Sequence, residues 1–205
     1  MWATVLDRPG PPQSQPLAYR EVPDPEPAAG EVLIEVEACG VCRTDLQLCS
    51  GDLEAHRLPV IPGHQVVGRV LSSGTGVTEP EPGSRVGVTW LASTCGHCRF
   101  CSSGRENLCT EARFTGWDRD GGYAERLCAD ERFVHLLPEA AAAADLAPLL
   151  CAGVIGYRSL RVAGLAARSG GARLGLFGFG ASAGIVIQVA LAWGVEVHVC
   201  TRSAR

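Results

Sequence analysis

The chain has 205 residues, a net charge of −4 and 46% hydrophobic residues, values typical of a globular protein with a substantial core. The acidic balance and the lack of a basic stripe argue against a nucleic-acid-binding protein. No apolar run in the sequence is long enough to predict a membrane span. We therefore expect partners that are neither nucleic acid nor membrane.

The part of the chain before Pro138 is predicted to be rich in short β-strands. Alternating apolar and polar residues, or short apolar runs bounded by turn residues, are the pattern of such strands. The predicted strands are residues 2–6, 31–38, 66–71, 85–90, 121–127 and 133–136. Turns that contain glycine and proline separate several of them.

From Pro138 onward the pattern changes to alternating helices and strands. The alanine-rich segment 140–147 predicts a helix that leads to Cys151, because alanine has the highest helix propensity. The next predicted elements are a helix over 156–167, a strand over 172–177, a helix over 182–193 and a strand over 195–200. The last three elements form a β-α-β unit.

Four cysteines in one short segment form the first chemical motif. Cys95, Cys98, Cys101 and Cys109 are spaced C-x2-C-x2-C-x7-C. Tight turns at this spacing bring sulfurs close enough to bind one Zn²⁺ as a tetrahedron, and four sulfur ligands make a structural site. Disulfides or buried thiols are the alternative. The amino-terminal sequence does not resemble a secretion signal, which favours reduced, metal-bound thiolates in a cytoplasmic protein.

Three further residues with metal-ligating side chains lie far apart in the sequence. They are Cys42, His64 and Cys151, and each of these residue types, taken alone, is more often a buried core residue than a metal ligand. Their flanking segments are more informative: Gly63-His64, the four-cysteine segment, Gly121-Gly122-Tyr123-Ala124-Glu125 and Cys151-Ala152-Gly153 follow one another in this order. In this combination the chain resembles the zinc-dependent medium-chain alcohol dehydrogenases over essentially its whole length.

The resemblance implies a mixed fold with two domains. A β-rich, GroES-like, zinc-binding catalytic domain would cover residues 1–148, and the first β-α-β part of an α/β Rossmann NAD(P)-binding domain would cover residues 149–205. Cys42, His64 and Cys151 would bind a catalytic zinc, whose remaining position accepts the oxygen of a small-molecule alcohol or aldehyde. Zinc would act as a Lewis acid while a hydride moves to or from NAD(P).

The resemblance also implies roles for the residues beside Cys42. Thr44 would hydrogen-bond the substrate oxygen and begin a proton relay, and Asp45 would orient His64 through its second ring nitrogen. Arg43 would contact the cofactor pyrophosphate, which a guanidinium group fits well. A turn threonine, a helix cap and a solvated surface charge are the respective alternatives. Trp90 is expected to line the substrate pocket.

A glycine-rich turn after the strand 172–177 predicts nucleotide binding. Gly178, Gly180 and Ala183 fit the G-x-G-x-x-A pattern, in which the backbone and a helix amino terminus approach a pyrophosphate. The next strand is followed by Thr201 and Arg202 and lacks the acidic residue that binds the ribose of NAD. This difference favours NADP.

The sequence departs from the family pattern at several positions. Gln65 replaces a usual glutamate, Gln47 replaces the relay histidine of many relatives, and Ile155 replaces a threonine. The chain also carries only the first β-α-β part of the second domain. A truncated, catalytically inactive zinc-binding fragment is therefore the alternative function, and a full-length form could be a homo-oligomer. Zinc-free quinone reductase relatives are disfavoured, because they lack both cysteine sets.

Overall fold

The chain folds into two compact units, residues 1–150 and 151–205, in a computed structural model that describes residues 1–165 and 171–202. The strands are β1 (Trp2–Leu6), β2 (Leu17–Glu21), β3 (Glu31–Cys39), β4 (Val66–Ser73), β5 (Arg85–Val88), β6 (Leu91–Ser93), β7 (Arg113–Phe114), β8 (Arg126–Asp130), β9 (Val134–Leu136), β10 (Arg173–Phe177) and β11 (Glu196–Cys200). The α-helices are α1 (Arg43–Ser50), α2 (Ala143–Leu146), α3 (Ala152–Val162) and α4 (Ala181–Ala192). Among the described residues, none of the helices has both the length and the apolar character needed to cross a membrane.

An antiparallel sheet of five strands, in the order β8-β3-β4-β5-β9, forms the centre of the first unit. Along β3, Val32 and Ile34 are fully buried while Glu35 is exposed, as expected when successive side chains point to opposite faces. The buried core of the sheet consists of Val32, Ile34, Val66, Val70, Val86, Val88, Leu127 and Ala129. Valine predominates because β-branched side chains pack well on a pleated surface.

The end of the first unit packs against this sheet. Helix α2 and the 3-10 turn that follows it, Ala147–Leu150, form a second cluster with Val67. A Cβ at Gly87 would lie 2.8 Å from the side chain of Leu150, so glycine allows the turn to approach the strand closely. The buried Leu150 thereby fixes the backbone directly before Cys151.

Two smaller antiparallel pairs complete the first unit. Strands β1 and β2 form a hairpin, and β6 pairs with β7. The four-cysteine segment lies between β6 and β7 and contains the 3-10 turns Cys101–Ser103 and Glu106–Leu108. The paired strands hold both ends of this segment.

The second unit contains the predicted β-α-β arrangement. Strands β10 and β11 are parallel neighbours, and α4 connects them. Helices α3 and α4 pack closely, since a Cβ at Gly156 would lie 2.5 Å from the Val186 side chain. The buried cluster of the unit consists of Leu160, Leu165, Val186, Ala190 and Val195. The mixed fold class expected from the sequence is confirmed.

Three predicted elements differ from the structure. The strand predicted over 121–127 begins only at Arg126, because the backbone N–H groups of residues 121–123 bond to the carbonyls of residues 61–63 in an irregular order instead of a ladder. The helix predicted over 140–147 is confined to Ala143–Leu146 and continues as a 3-10 turn, which contains Pro148. The helix predicted over 156–167 begins earlier, at Ala152, and ends at Val162, whereas residues 166–167 lie outside the described part.

Replacement of the fully buried Ile34 by alanine should lower the free energy of unfolding of the first unit by about 2–5 kcal/mol, because it leaves a cavity in the sheet core. Leu71→Ala is the matched control, since Leu71 lies on β4 with 41% of its surface exposed. Its effect should stay within about 0.5 kcal/mol. Urea denaturation measures both, and equal losses would contradict the assignment of the core.

Candidate metal centres

Helix α1 positions the first candidate ligand. Cys42 is its N-cap residue, and the backbone N–H of Cys42 donates to Asp45 Oδ2 at 2.8 Å. This capping-box contact fixes the backbone at Cys42. The Cys42 Sγ atom lies 3.8 Å from Thr44 Oγ1. Burial raises the pKa of the Cys42 thiol. Hydrogen bonds with Thr44 and the neighbouring His64 lower this pKa by more than burial raises it, so the net pKa lies below its usual value.

The carboxylate of Asp45 connects this helix to the segment that carries His64. Asp45 Oδ1 accepts the backbone N–H of Gly63 at 3.3 Å and lies 3.1 Å from His64 Nδ1. Only 3% of Asp45 and 1% of His64 are exposed, so both side chains are held in the interior. A histidine whose Nδ1 is bound to a carboxylate presents Nε2 as its metal-ligating nitrogen.

Cys151 follows directly on the buried Leu150 and is the N-cap residue of α3. The ligand atoms of Cys42, His64 and Cys151 all lie within 4.8 Å of one another. Two sulfurs and one imidazole nitrogen at this separation fit the ligand shell of one Zn²⁺, with Zn–S distances of about 2.3 Å and a Zn–N distance of about 2.0 Å. Three protein ligands leave one tetrahedral position for another molecule.

The four-cysteine segment folds back on itself so that its sulfurs converge. The Sγ–Sγ distances are 3.5 Å for Cys98 and Cys101, 3.6 Å for Cys95 and Cys109, and 3.9 Å for Cys95 and Cys101. Sulfurs bound tetrahedrally to one zinc lie about 3.8 Å apart, which matches these distances. Gly96, with a φ of 77°, lies in the left-handed region that the turn requires.

The thiols of this segment differ in acidity. A hydrogen bond from the backbone N–H of Cys101 lowers the pKa of the Cys98 thiol. This effect exceeds that of burial, which raises the pKa, and the net pKa is about 6. For Cys109, a backbone hydrogen bond involving Cys95 lowers the pKa, whereas burial and the neighbouring sulfurs raise it to about 11. A metal-free chain at neutral pH should therefore carry a thiolate at Cys98 and a thiol at Cys109.

A cluster of aromatic rings lies beside His64. Trp90 contacts the His64 ring edge-on, with centroids 4.7 Å apart, and stacks on Phe114 at 5.1 Å and on Trp117 at 5.6 Å. On the other side, His56 stacks on Trp117 at 3.8 Å. The sequence singled out only Trp90. The short spacing of Phe114 and Trp117 in the sequence is the local signal that could have indicated the rest of the cluster.

The glycine-rich turn has the backbone features expected of a nucleotide-binding turn. Gly178 has a φ of 94°, and Gly180 is the N-cap residue of α4, which places Ala183 in the first helical turn. A Cβ at Gly178 or Gly180 would meet none of the described atoms within 4 Å, so a ligand can approach the backbone here.

The residues after β11 share the edge of the parallel pair that carries this turn. Phe177 pairs with Cys200, so the exposed Thr201 and Arg202 emerge next to Gly178. The backbone N–H of Gly178 donates to the Cys200 carbonyl at 2.7 Å, which joins the two segments. The remaining predicted cofactor residue, Arg43, is exposed at the first position of α1.

Comparison with known proteins supports the same assignment. Residues 28–139 match the model of the alcohol dehydrogenase GroES-like domain. The chain is 52% identical to the probable alcohol dehydrogenase AdhA of Mycobacterium tuberculosis over its whole length, which is 60% of that protein.

Solved structures give a consistent result. A cobalt- and zinc-bound alcohol dehydrogenase of Pyrobaculum aerophilum is 30% identical with a TM-score of 0.86, and 98% of this chain matches 60% of that one. The CAD protein of Helicobacter pylori in complex with NADP(H) is 26% identical with a TM-score of 0.84, and 99% of this chain matches 60% of that one. The chain thus spans about 60% of the length of these relatives.

Alkylation of the metal-free chain at pH 7 should label Cys98 before Cys109, because the thiolate is the reactive form. Iodoacetamide labelling followed by peptide mass spectrometry measures the order. Added Zn²⁺ should protect both residues. Equal labelling rates for Cys98 and Cys109 would contradict the arrangement of donors around the two sulfurs.

Proposed function

Since the chain belongs to the alcohol dehydrogenase family that carries a GroES-like domain, we propose that it acts in hydride transfer between a small-molecule alcohol or aldehyde and NAD(P). The observation that carries the proposal is the convergence of Cys42, His64 and Cys151, whose ligand atoms lie within 4.8 Å of one another. A three-ligand zinc site is the form that catalytic zinc takes, whereas a structural zinc has four protein ligands.

The two candidate centres have different proposed roles. Cys42, His64 and Cys151 would hold the catalytic zinc, which, when bound, supplies a Lewis acid that polarises the substrate oxygen. Cys95, Cys98, Cys101 and Cys109 would hold the structural zinc and stabilise the segment between β6 and β7. The donor sets fit these roles, because the first leaves a ligand position open and the second does not.

Thr44 and Asp45 have distinct proposed tasks at the first centre. Thr44 would hydrogen-bond the substrate oxygen and take up its proton; the 3.8 Å distance between Thr44 Oγ1 and Cys42 Sγ supports this role. The side chain of Gln47 has no titratable proton, so water is the proposed next carrier. Asp45 holds the imidazole of His64 in one orientation. Trp90 and its stacked neighbours would form an apolar wall for the carbon skeleton of the substrate.

The proposed cofactor site combines the glycine-rich turn with nearby polar side chains. Gly178, Gly180 and Ala183 would bind the pyrophosphate through the backbone at the start of α4. Arg43 is assigned to the same pyrophosphate. Thr201 and Arg202 would bind a ribose 2′-phosphate, which makes NADP the proposed cofactor. The complex of the Helicobacter pylori relative with NADP(H) supports this choice.

The proposed compartment is the cytoplasm, where thiols stay reduced and available to bind zinc. Homo-oligomerisation of a longer form stays a prediction.

Metal content and turnover test the proposed function together. The purified chain should bind two zinc ions and catalyse NADPH-dependent reduction of one or more members of an aldehyde panel. Cys42→Ser should remove one zinc and abolish turnover, whereas Cys128→Ser, a half-buried cysteine outside both groups, should change neither. Zinc binding without turnover by the unsubstituted chain would favour the zinc-binding fragment as the function instead.

Asp45→Asn should lower activity or zinc affinity at the first centre by about 10–100-fold, because the variant no longer holds His64 with a charged acceptor. Elemental analysis after dialysis against a chelator and steady-state kinetics measure the two effects. Asp52→Asn is the control, since Asp52 is exposed just beyond α1. Equal behaviour of the two variants would show that Asp45 has no special role.

Arg202→Ala should weaken NADPH binding by at least about tenfold, the value of one charge-assisted hydrogen bond, and leave NADH binding unchanged. Quenching of intrinsic fluorescence on titration with each nucleotide gives the affinities. The exposed Arg173, at the opposite end of β10, supplies the control variant Arg173→Ala. Equal weakening of NADH and NADPH by Arg202→Ala would contradict recognition of the 2′-phosphate.

A further inference from the structure

The segment that carries Tyr123 is bonded directly to the segment that precedes His64. Backbone N–H groups of Gly121, Gly122 and Tyr123 donate to the carbonyls of Ile61, Gly63 and Pro62 at 2.7, 2.9 and 3.0 Å. On its other side, the Tyr123 carbonyl accepts the backbone N–H of Thr4 at 2.7 Å. These bonds fix the position of the Tyr123 side chain relative to the turn before His64.

The ring of Tyr123 packs directly on Gly63. Gly63 has a φ of 98°, and a Cβ at this position would lie 2.6 Å from the Tyr123 ring and 2.8 Å from Cys39 Sγ. Both the backbone conformation and the close approach require glycine here. The ring therefore packs against Gly63, whose backbone N–H donates to Asp45 Oδ1.

The hydroxyl of Tyr123 points to the segment that carries Cys42. It donates to the carbonyl of Gly40 at 3.4 Å. Burial, followed by the charge of Asp45, raises the pKa of this hydroxyl far above its usual value. The group is therefore a hydrogen-bond donor at neutral pH.

We propose that Tyr123 is a positioning residue for the Cys42 and His64 metal ligands, acting through the Gly40 carbonyl on one segment and through Gly63 on the other. Asp45 already accepts the backbone N–H groups of Cys42 and Gly63 and contacts His64 Nδ1. The Tyr123 hydroxyl bonds the carbonyl two residues before Cys42, and its ring packs on the residue before His64, so one side chain joins the two ligand-bearing segments. The two segments that the buried Asp45 carboxylate connects are thereby held together at a second place, which keeps the Cys42 sulfur and the His64 imidazole in one arrangement.

The inference rests on the metal site of the proposed function, so its test includes that site and an internal reference. Co²⁺ replaces zinc in the metal-free full chain, and its visible absorption reports each ligand set. The difference between the spectra of a chain and of its Cys42→Ala counterpart isolates the bands of the three-ligand site. The four-cysteine site remains as the reference for folding of the first unit.

Tyr123→Phe removes only the hydroxyl and keeps the ring. Co²⁺ affinity at the three-ligand site should fall by about tenfold, and its absorption bands should shift, because the segment that carries Cys42 loses its bond to Tyr123 at the Gly40 carbonyl. The four-cysteine site should be unchanged. Tyr19→Phe is the matched control, since Tyr19 is 70% exposed and stacks on Trp2; this variant should behave as the unsubstituted chain.

Three outcomes would overturn the inference. An unchanged Co²⁺ affinity and spectrum in Tyr123→Phe would show that the hydroxyl has no effect on the site. Equal losses at both metal sites would identify a general loss of stability rather than positioning. Binding of Co²⁺ by the unsubstituted chain at the four-cysteine site alone would overturn the proposed function and this inference with it, which separates the two failures.

Discussion

A buried carboxylate must be surrounded by hydrogen-bond donors, because an unpaired charge in a protein interior is strongly destabilising. Asp45 meets this requirement with donors from two segments that are distant in sequence, the backbone N–H groups of Cys42 and Gly63, and with the ring of His64. Satisfying the carboxylate therefore brings two candidate metal ligands together. The arrangement of the site depends on this single side chain more than on any other.

The hydrophobic core supplies the frame in which that carboxylate is held. Val66 and Val67 begin β4 directly after the His64 segment and are fully buried, and the packing of Leu150 against the sheet fixes the chain before Cys151. Close backbone approaches at Gly63 and Gly121 remove the space that side chains would occupy. The sheet core, the capping box and the close glycine contacts thus all help to fix the backbone at or beside Cys42, His64 and Cys151. The four-cysteine segment, by contrast, is organised locally between β6 and β7.

The sequence predicted features whose signal is local and failed on those that arise from distant contacts. Alternation predicted β3, and the spacing of the four cysteines predicted their convergence, because both patterns lie within short segments. Cys42, His64 and Cys151 required resemblance to a known family, since nothing in their separate contexts relates them. Gly121 and Gly122 approach the His64 segment closely, but this contact has no signature in the local sequence. The local sequence therefore predicts a strand there instead. The roles inferred for Phe114 and Tyr123 likewise depend on neighbours far along the chain.

The most direct test of the account is whether the Cys42, His64 and Cys151 site accepts a ligand from solution. Imidazole titrated into the cobalt-substituted chain should shift the absorption of that site, because three protein ligands leave one coordination position open. Cys42→Ala should abolish the shift, and Cys98→Ala should retain it. An unchanged spectrum on imidazole addition, or the same shift in Cys42→Ala, would contradict the existence of an open metal site formed by these residues.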